Sequence, residues 1–197
     1  MALPTCVRVF LPALALASVA TGVTAEPSNL RIGVGSAVLD INPGPDYLPD
    51  TDTKGLAIFA EYPQSNHAAS RFILYHIHDD GSDAGNDRQD VTGFATQLMW
   101  GWGLAEPGFR LYSGPSWHRD KMLVKRPDGY KTRIMNGWGW HLGLGYQLDA
   151  ITVDIAGEWR DPDDYRLENQ RPEAKAAGIN DDTPDVLFYN LMISYRF

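Results

Sequence analysis

The chain has 197 residues, a formal net charge of −8 and one cysteine. Its length suits one domain, and its negative balance argues against nucleic acid or an anionic surface as a general electrostatic partner. The lone Cys6 lies in a segment that we expect to be removed on export, so neither disulfide bonds nor thiolate chemistry is expected in the mature chain.

The N-terminal residues 1–25 have the pattern of a secretory signal peptide. Arg8 is the only charge before Glu26, residues 9–20 form a short apolar run, and the small residues at 23–25 offer a cleavage site. The run is too short and wrongly flanked for a transmembrane helix. We therefore expect an exported mature domain, residues 26–197, that begins at Glu26.

The mature chain alternates apolar and polar residues with period two, which is typical of strands with two unlike faces. Strands are predicted at residues 30–41, 54–62, 70–78, 91–102, 108–118, 136–147, 150–160 and 187–197. The last of them has a large apolar or aromatic residue at every second position and ends on Phe197. The connections between them alternate long and short, and the predicted long loops are 42–53, 79–90, 119–135 and 161–185.

With its signal peptide, this strand rhythm and the terminal Phe197, the chain resembles the small outer-membrane barrels of the OmpA and OmpW type over its whole mature length. The resemblance implies an all-β, eight-stranded, antiparallel up-and-down transmembrane barrel in the outer membrane of a Gram-negative bacterium. It also implies recognition of the terminal strand by the barrel-assembly machinery. The alternative is a soluble barrel of the lipocalin kind, in which the larger residues face inward.

A transmembrane barrel places aromatic residues in two girdles, one at each membrane interface. The predicted girdle residues are Trp100, Trp102, Tyr195 and Phe197 at the periplasmic rim, and Trp117, Trp138, Trp140 and Trp159 at the outer rim.

The opposite faces of the strands carry both signs of charge. The residues predicted to point into the lumen are Arg31, Glu61, Arg110, His118, His141, Asp154, Glu158, Arg160 and Arg196. The third strand is apolar on both faces at its start, so its faces are ambiguous, and we predict either that Arg71 points inward at the rim or that a bulge lies nearby. Because an eight-stranded barrel is just wide enough to be filled by side chains, we expect a salt-bridged plug. A narrow conduit for a small solute is a further alternative.

An enzymatic alternative depends on residues of three strands. Symmetric hairpin counting places Ser116 about opposite His141, with Asp154 and Glu158 nearby on the next strand. A hydroxyl, an imidazole and a carboxylate could form a nucleophile, its base and an orienting acid, as in a lipid-modifying acyl hydrolase or transferase. Against this hypothesis, these residues face the lumen by parity rather than the lipid.

Two predicted loops are rich in aspartate and one is basic. The aspartates are Asp79, Asp80, Asp83, Asp87 and Asp90, and then Asp161, Asp163, Asp164, Asp181, Asp182 and Asp185. Carboxylates can hold Ca²⁺ or Mg²⁺, but their spacing does not match a calcium loop, so we predict solvated turns, no metal and no cofactor. The basic residues are Arg119, Lys121, Lys125, Arg126, Lys131 and Arg133, which are suited to lipopolysaccharide phosphates.

Together, these observations predict a non-enzymatic outer-membrane protein. Its expected role is envelope-structural or surface-interactive, through long acidic extracellular loops. Its expected partners are outer-membrane lipid, lipopolysaccharide and the barrel-assembly machinery, with no nucleic acid.

Overall fold

The computed structural model describes residues 29–42, 51–78, 90–126, 129–165 and 185–197. They form one closed barrel in which each strand pairs antiparallel with the next and the last pairs with the first. The strands are β1 (Arg31–Asn42), β2 (Thr51–Pro63), β3 (Ala68–His78), β4 (Asp90–Trp102), β5 (Gly108–Arg126), β6 (Gly129–Leu148), β7 (Ile151–Arg160) and β8 (Asp185–Arg196). This confirms the predicted eight-stranded antiparallel barrel. A short 3₁₀ helix, Pro162–Tyr165, follows β7, and no helix in the described ranges is long and apolar enough to cross a membrane.

Burial alternates along most of the length of the strands, and the exposed face carries many large apolar residues. On β7, Ile151, Val153 and Ile155 are 45%, 42% and 52% exposed, whereas the intervening Thr152 and Asp154 are buried in the lumen. A soluble barrel would place its large apolar residues inside, so this orientation argues against the lipocalin-like alternative.

The prediction of a loop at residues 119–135 was wrong. Instead, β5 and β6 continue as a paired hairpin through Lys121↔Ile134 and Met122↔Arg133 up to Arg126↔Gly129. The many charges suggested a loop, but charged side chains are compatible with a strand when alternate positions pack, and Met122 and Met135 are buried. We call residues 119–126 and 129–135 the ribbon.

The tip of the ribbon, from residue 123 to residue 135, extends beyond both neighbouring strands. The pairing of β4 with β5 stops at Val91↔Met122, and the pairing of β6 with β7 starts only at Gly139↔Arg160. Residues 119–122 of the ribbon therefore belong to the rim of the barrel wall, and the rest of it continues as a hydrogen-bonded hairpin beyond the end opposite the short turns.

At the other end, two of the short turns are tied to each other. The amide of Gly101 donates to the carbonyl of His67 at 3.0 Å, and the amide of Leu104 donates to the carbonyl of Asn66 at 3.1 Å. Gly103 has a φ of +72°, and a Cβ there would meet the backbone of Phe109. The turn therefore requires glycine, which fixes the close approach of β4 and β5 at this rim.

Candidate functional site

A cluster of buried charges fills the lumen near the short-turn end, with Glu61 of β2 at its centre. Arg71 donates to one carboxylate oxygen of Glu61 from Nε at 3.0 Å and from Nη2 at 2.6 Å. Arg110 donates to the other oxygen at 2.7 Å, and Arg31 also donates to that oxygen. One carboxylate therefore serves three guanidinium groups from three different strands.

A second carboxylate completes this cluster. Asp154 of β7 lies 3.2 Å from Arg71 Nη2 and 3.3 Å from Arg110 Nε. The hydroxyl of Tyr112 accepts a hydrogen bond from Arg71 Nη1 at 3.0 Å. We call Arg31, Glu61, Arg71, Arg110 and Asp154 the lower cluster; it holds three cations and two anions.

A second cluster lies toward the outer end and is organised around Arg160 of β7. Its guanidinium donates to Asp120 at 2.7 Å and to Glu158 at 2.9 Å, and it lies 4.3 Å from the ring centroid of Phe188. We call Arg160, Asp120 and Glu158 the upper cluster. Its single cation and two anions complement the excess cation of the lower cluster, so the charges of the two clusters cancel.

Two tyrosines connect the upper cluster to its surroundings. The hydroxyls of Tyr75 and Tyr165 both donate to Asp120, and Tyr165 also accepts from Arg160 Nη1 at 2.9 Å. Tyr165 lies on the 3₁₀ helix and stacks on His118, with ring centroids 5.6 Å apart. Burial raises the pKa of the Tyr165 phenol well above its ordinary value, so the hydroxyl remains a donor to the carboxylate.

The structure places the predicted lumen residues as follows. Those that are buried in the lumen are Arg31, Glu61, Arg110, His118, His141, Asp154, Glu158 and Arg160, and so is Arg71. Arg196 is only half-buried and donates to the carbonyl of Ala105 at the short-turn rim, at 3.0 Å. Asp120 was missed because the predicted strand ended at residue 118, although continuing the parity of Arg110 and His118 by one step would have found it.

The proposed catalytic constellation is not assembled. Ser116 pairs with Gly139, and His141 pairs with Gly114 on one side and Glu158 on the other, so the predicted Ser116–His141 register was wrong by two residues. The hydroxyl of Ser116 is buried without a hydrogen-bond partner among the described residues, and none of the described hydrogen bonds joins it to His141. The carboxylate of Asp154 is engaged by arginines. A nucleophile needs its base within hydrogen-bond reach, and the structure contains no such bond between the described groups.

The predicted girdle residues lie on the outward face. Trp102 and Phe197 near the short turns are 65% and 56% exposed, and Trp138 toward the other end is 66% exposed. Trp117 is less exposed because it packs on Phe94, with ring centroids 5.5 Å apart. The structure therefore has aromatic side chains near both ends of an apolar wall.

Polar groups on this wall bond locally. The hydroxyl of Ser113 donates to the carbonyl of His141 at 2.8 Å and accepts from the indole nitrogen of Trp140 at 2.8 Å. Ser36 accepts from the amide of Leu191, at 3.3 Å, at a point where the β1–β8 ladder has no residue pair. Such local bonding is required where the outer face contacts hydrocarbon rather than water.

Of the predicted loop residues, only some lie within the described ranges. Asp79, Asp80, Asp83, Asp87, Asp181 and Asp182 lie outside them, and nothing is described of the side chains of Asp163, Asp164, Lys125 and Arg126. Asp90 and Asp185 belong to β4 and β8, not to loops. In the described part of the chain, no group of three or more His, Cys, Asp or Glu residues is arranged to hold a metal ion.

A closed eight-stranded barrel with an apolar, aromatic-flanked exterior and a charge-paired interior is the architecture of bacterial outer-membrane barrel proteins. The chain belongs to the outer membrane protein beta-barrel domain family, whose model matches residues 9–197. It is accordingly an outer-membrane β-barrel protein.

Solved structures of the same fold have low sequence identity to this chain. Ail, the attachment invasion locus protein of Yersinia pestis, is 14% identical, with a TM-score of 0.57 over 85% of this chain and 97% of Ail. Neisserial surface protein A (NspA) is 12% identical, with a TM-score of 0.59 over 86% of this chain and 98% of NspA. The N-terminal barrel of Pseudomonas aeruginosa OprF is 13% identical, with a TM-score of 0.53 over 87% of this chain and 100% of that domain. No curated protein matches the chain in sequence.

Proposed function

We propose that this protein is a non-enzymatic surface-interaction protein of the outer membrane. In this proposal, it contacts the anionic groups of lipopolysaccharide through the basic side chains of the ribbon. The observation that carries the proposal is the continuation of β5 and β6 beyond the barrel, which places a basic segment on paired strands instead of a loop.

The described cations of the ribbon lie on both of its faces. Arg119 and Lys121 are exposed on the outward face, the same face as the girdle residue Trp117. Lys131 and Arg133 belong to the face that carries the buried Met122 and Met135. An outward cation next to an aromatic girdle is at the level where lipid phosphates lie, and guanidinium and ammonium groups bind phosphate through charge-assisted hydrogen bonds.

The barrel fold has a precedent for binding a polyanionic sugar. One crystal structure of Ail is a complex with the heparin analogue sucrose octasulfate. That ligand belongs to Ail, and the likeness of this chain to Ail is one of fold. It supports the proposal only in that a protein of this fold has been crystallised with a sulfated sugar.

The charge pairing inside the lumen favours a functional role for the outer surface of the barrel. Its ionised groups are paired in the lower and upper clusters, and their side chains are buried at 0–1% exposure. Burying charges is tolerable when each is paired and hydrogen-bonded, and these contacts then hold neighbouring strands in register. We infer that the lumen is a structural plug and that recognition takes place on the outer surface.

A charge-removal experiment tests the proposal. Changing Arg119, Lys121, Lys125, Arg126, Lys131 and Arg133 to Ser is expected to weaken binding to lipopolysaccharide vesicles by about tenfold or more, since each exposed ion pair contributes roughly 0.2–1 kcal/mol. The affinity of the unchanged protein should also fall as salt is raised. Binding is measured by co-flotation of the folded protein with vesicles.

Two controls separate charge from shape. The charge-keeping variant Arg119→Lys/Lys121→Arg should retain most of the affinity for phosphorylated vesicles. Vesicles of dephosphorylated lipopolysaccharide should not distinguish the unchanged protein from the Ser variant, and should bind both weakly. Equal affinity of the Ser variant and the unchanged protein for phosphorylated vesicles, with both barrels folded, would rule out the ribbon as the contact.

A further inference from the structure

Two histidines on β3 lie outside the lumen and outside the ribbon. His76 and His78 are separated by one residue, so both side chains are on the same, outward face of the strand. Both are exposed, and they lie beyond Phe72 and Leu74 toward the outer end of β3. They are therefore accessible from the external medium rather than from the lumen.

Each of these imidazoles is held by the residue directly opposite it on β4. His78 pairs with Asp90, and its Nδ1 is bonded to the Asp90 carboxylate. His76 pairs with Thr92, and its Nδ1 lies 3.0 Å from the Thr92 hydroxyl oxygen. A carboxylate bonded to Nδ1 fixes the tautomer in which Nδ1 carries the proton, and the lone pair is then on Nε2.

This arrangement is the one that proteins use for metal-ligating histidines. A ligating imidazole commonly donates its other ring N–H to a carboxylate or another acceptor, which orients the ring and raises its basicity as a ligand. Alternate residues of a strand are roughly 7 Å apart at Cα, which allows two imidazoles on one face to approach the same ion. Neutral imidazole nitrogen prefers borderline transition metals over Ca²⁺ or Mg²⁺.

We propose that the Nε2 atoms of His76 and His78 form an external site for a divalent transition-metal ion of the Zn²⁺ type, with water as the remaining ligands. The neighbouring cationic residues on this face are Lys54, opposite His78, and Lys121, opposite Thr92. Because these positive charges repel every cation, binding here depends on the affinity of the imidazole nitrogens for the metal ion. With two protein ligands the ion is held reversibly and keeps open positions.

The site is independent of the proposed function. No residue of the His76–His78 pair belongs to the ribbon, and lipopolysaccharide binding through the ribbon does not require a metal ion. Failure of either proposal therefore leaves the other standing.

Isothermal titration calorimetry tests the site. ZnCl₂ is added to the untagged, folded full-length protein in detergent. We expect saturable binding of about one Zn²⁺ per chain, at least tenfold weaker in His76→Ala and in His78→Ala, and roughly tenfold weaker in Asp90→Asn. His67→Ala is the matched control, since His67 is exposed but lies in the short turn at the other end of the barrel.

Unchanged Zn²⁺ affinity in His67→Ala together with lost affinity in the two β3 variants supports the metal site. Each variant must also still migrate faster on an SDS gel before heating than after it, as a folded barrel does. The proposal is overturned by absence of saturable binding up to about 1 mM Zn²⁺. It is equally overturned by a His76→Ala/His78→Ala variant that binds Zn²⁺ as tightly as the unchanged protein.

Discussion

Glu61→Gln is expected to destabilise the folded barrel by about 3–5 kcal/mol, because it removes one partner of a buried ion-pair network. Glu61 accepts hydrogen bonds from Arg31, Arg71 and Arg110, and all four side chains are fully buried. Glutamine has nearly the same shape but no charge, so three guanidinium groups would share Asp154 as the only carboxylate left in the lower cluster. The measurement is equilibrium unfolding by urea in phospholipid vesicles, monitored by tryptophan fluorescence.

The matched control for this substitution is Glu106→Gln. Glu106 is exposed in the β4–β5 turn, where it accepts a hydrogen bond from Asn66 at 3.2 Å. The same chemical change at this surface position should alter the free energy of unfolding by no more than about 0.5 kcal/mol. Equal effects at the two positions would contradict a charge-paired lower cluster.

Arg160→Met is expected to destabilise the folded barrel by a similar amount, about 3–5 kcal/mol. Here the substitution removes the cation of a buried ion-pair network rather than the anion. Arg160 is the cation of the upper cluster, and its removal leaves Asp120 and Glu158 buried without it. Methionine keeps much of the side-chain volume and the packing against Phe188, so the loss reports mainly on charge. Arg119→Met, at an exposed position of the ribbon, is the control and should be near neutral.

A double-mutant cycle measures how much of the effect of Arg160→Met comes from its contact with Asp120. If Asp120 is paired with Arg160, the variant Arg160→Met/Asp120→Asn should be less destabilised than the sum of the two single variants. The interaction free energy obtained from the cycle should then fall in the roughly 0.5–3 kcal/mol range found for residues in one network. Strict additivity would mean that the contact of 2.7 Å between them contributes nothing to stability.

The architecture could be predicted because period-two alternation assigns alternate residues of a strand to opposite faces of the barrel wall. Once Leu191 and Ile193 face outward, parity places Asn190 and Met192 inward, and both are buried as expected. The same parity placed Arg31, Glu61 and Arg110 together in the lumen before their contacts were known. Fold and inward residues therefore follow from local alternation.

Register and strand length did not follow from that alternation. Ser116 pairs with Gly139 rather than His141, because the observed hairpin, whose last pair is Arg126↔Gly129, is centred one residue earlier in the chain than the predicted pairing requires. Parity survives an error of two residues, which is why the faces were right although the pairs were wrong. The ribbon was missed for the related reason that charge was taken as a loop signal.

The contribution of Tyr165 could not be predicted by periodicity at all. It reaches Asp120 from a 3₁₀ helix that follows β7, where no strand alternation applies. The space that the side chains of the lumen need is likewise a three-dimensional property. Gly143, for example, lies so close to the ring of Tyr112 that a Cβ there would collide with it, although the sequence shows only one glycine among several.

The central claim is that this barrel acts through its outer surface while its lumen is a closed, charge-paired plug. Reconstitution of the folded protein into planar lipid bilayers tests it most directly. The account predicts no conductance steps above those of bare lipid, because the buried guanidinium and carboxylate groups of the two clusters occupy the lumen. Reproducible steps of constant size from the unchanged protein would contradict it and make the lumen a conduit.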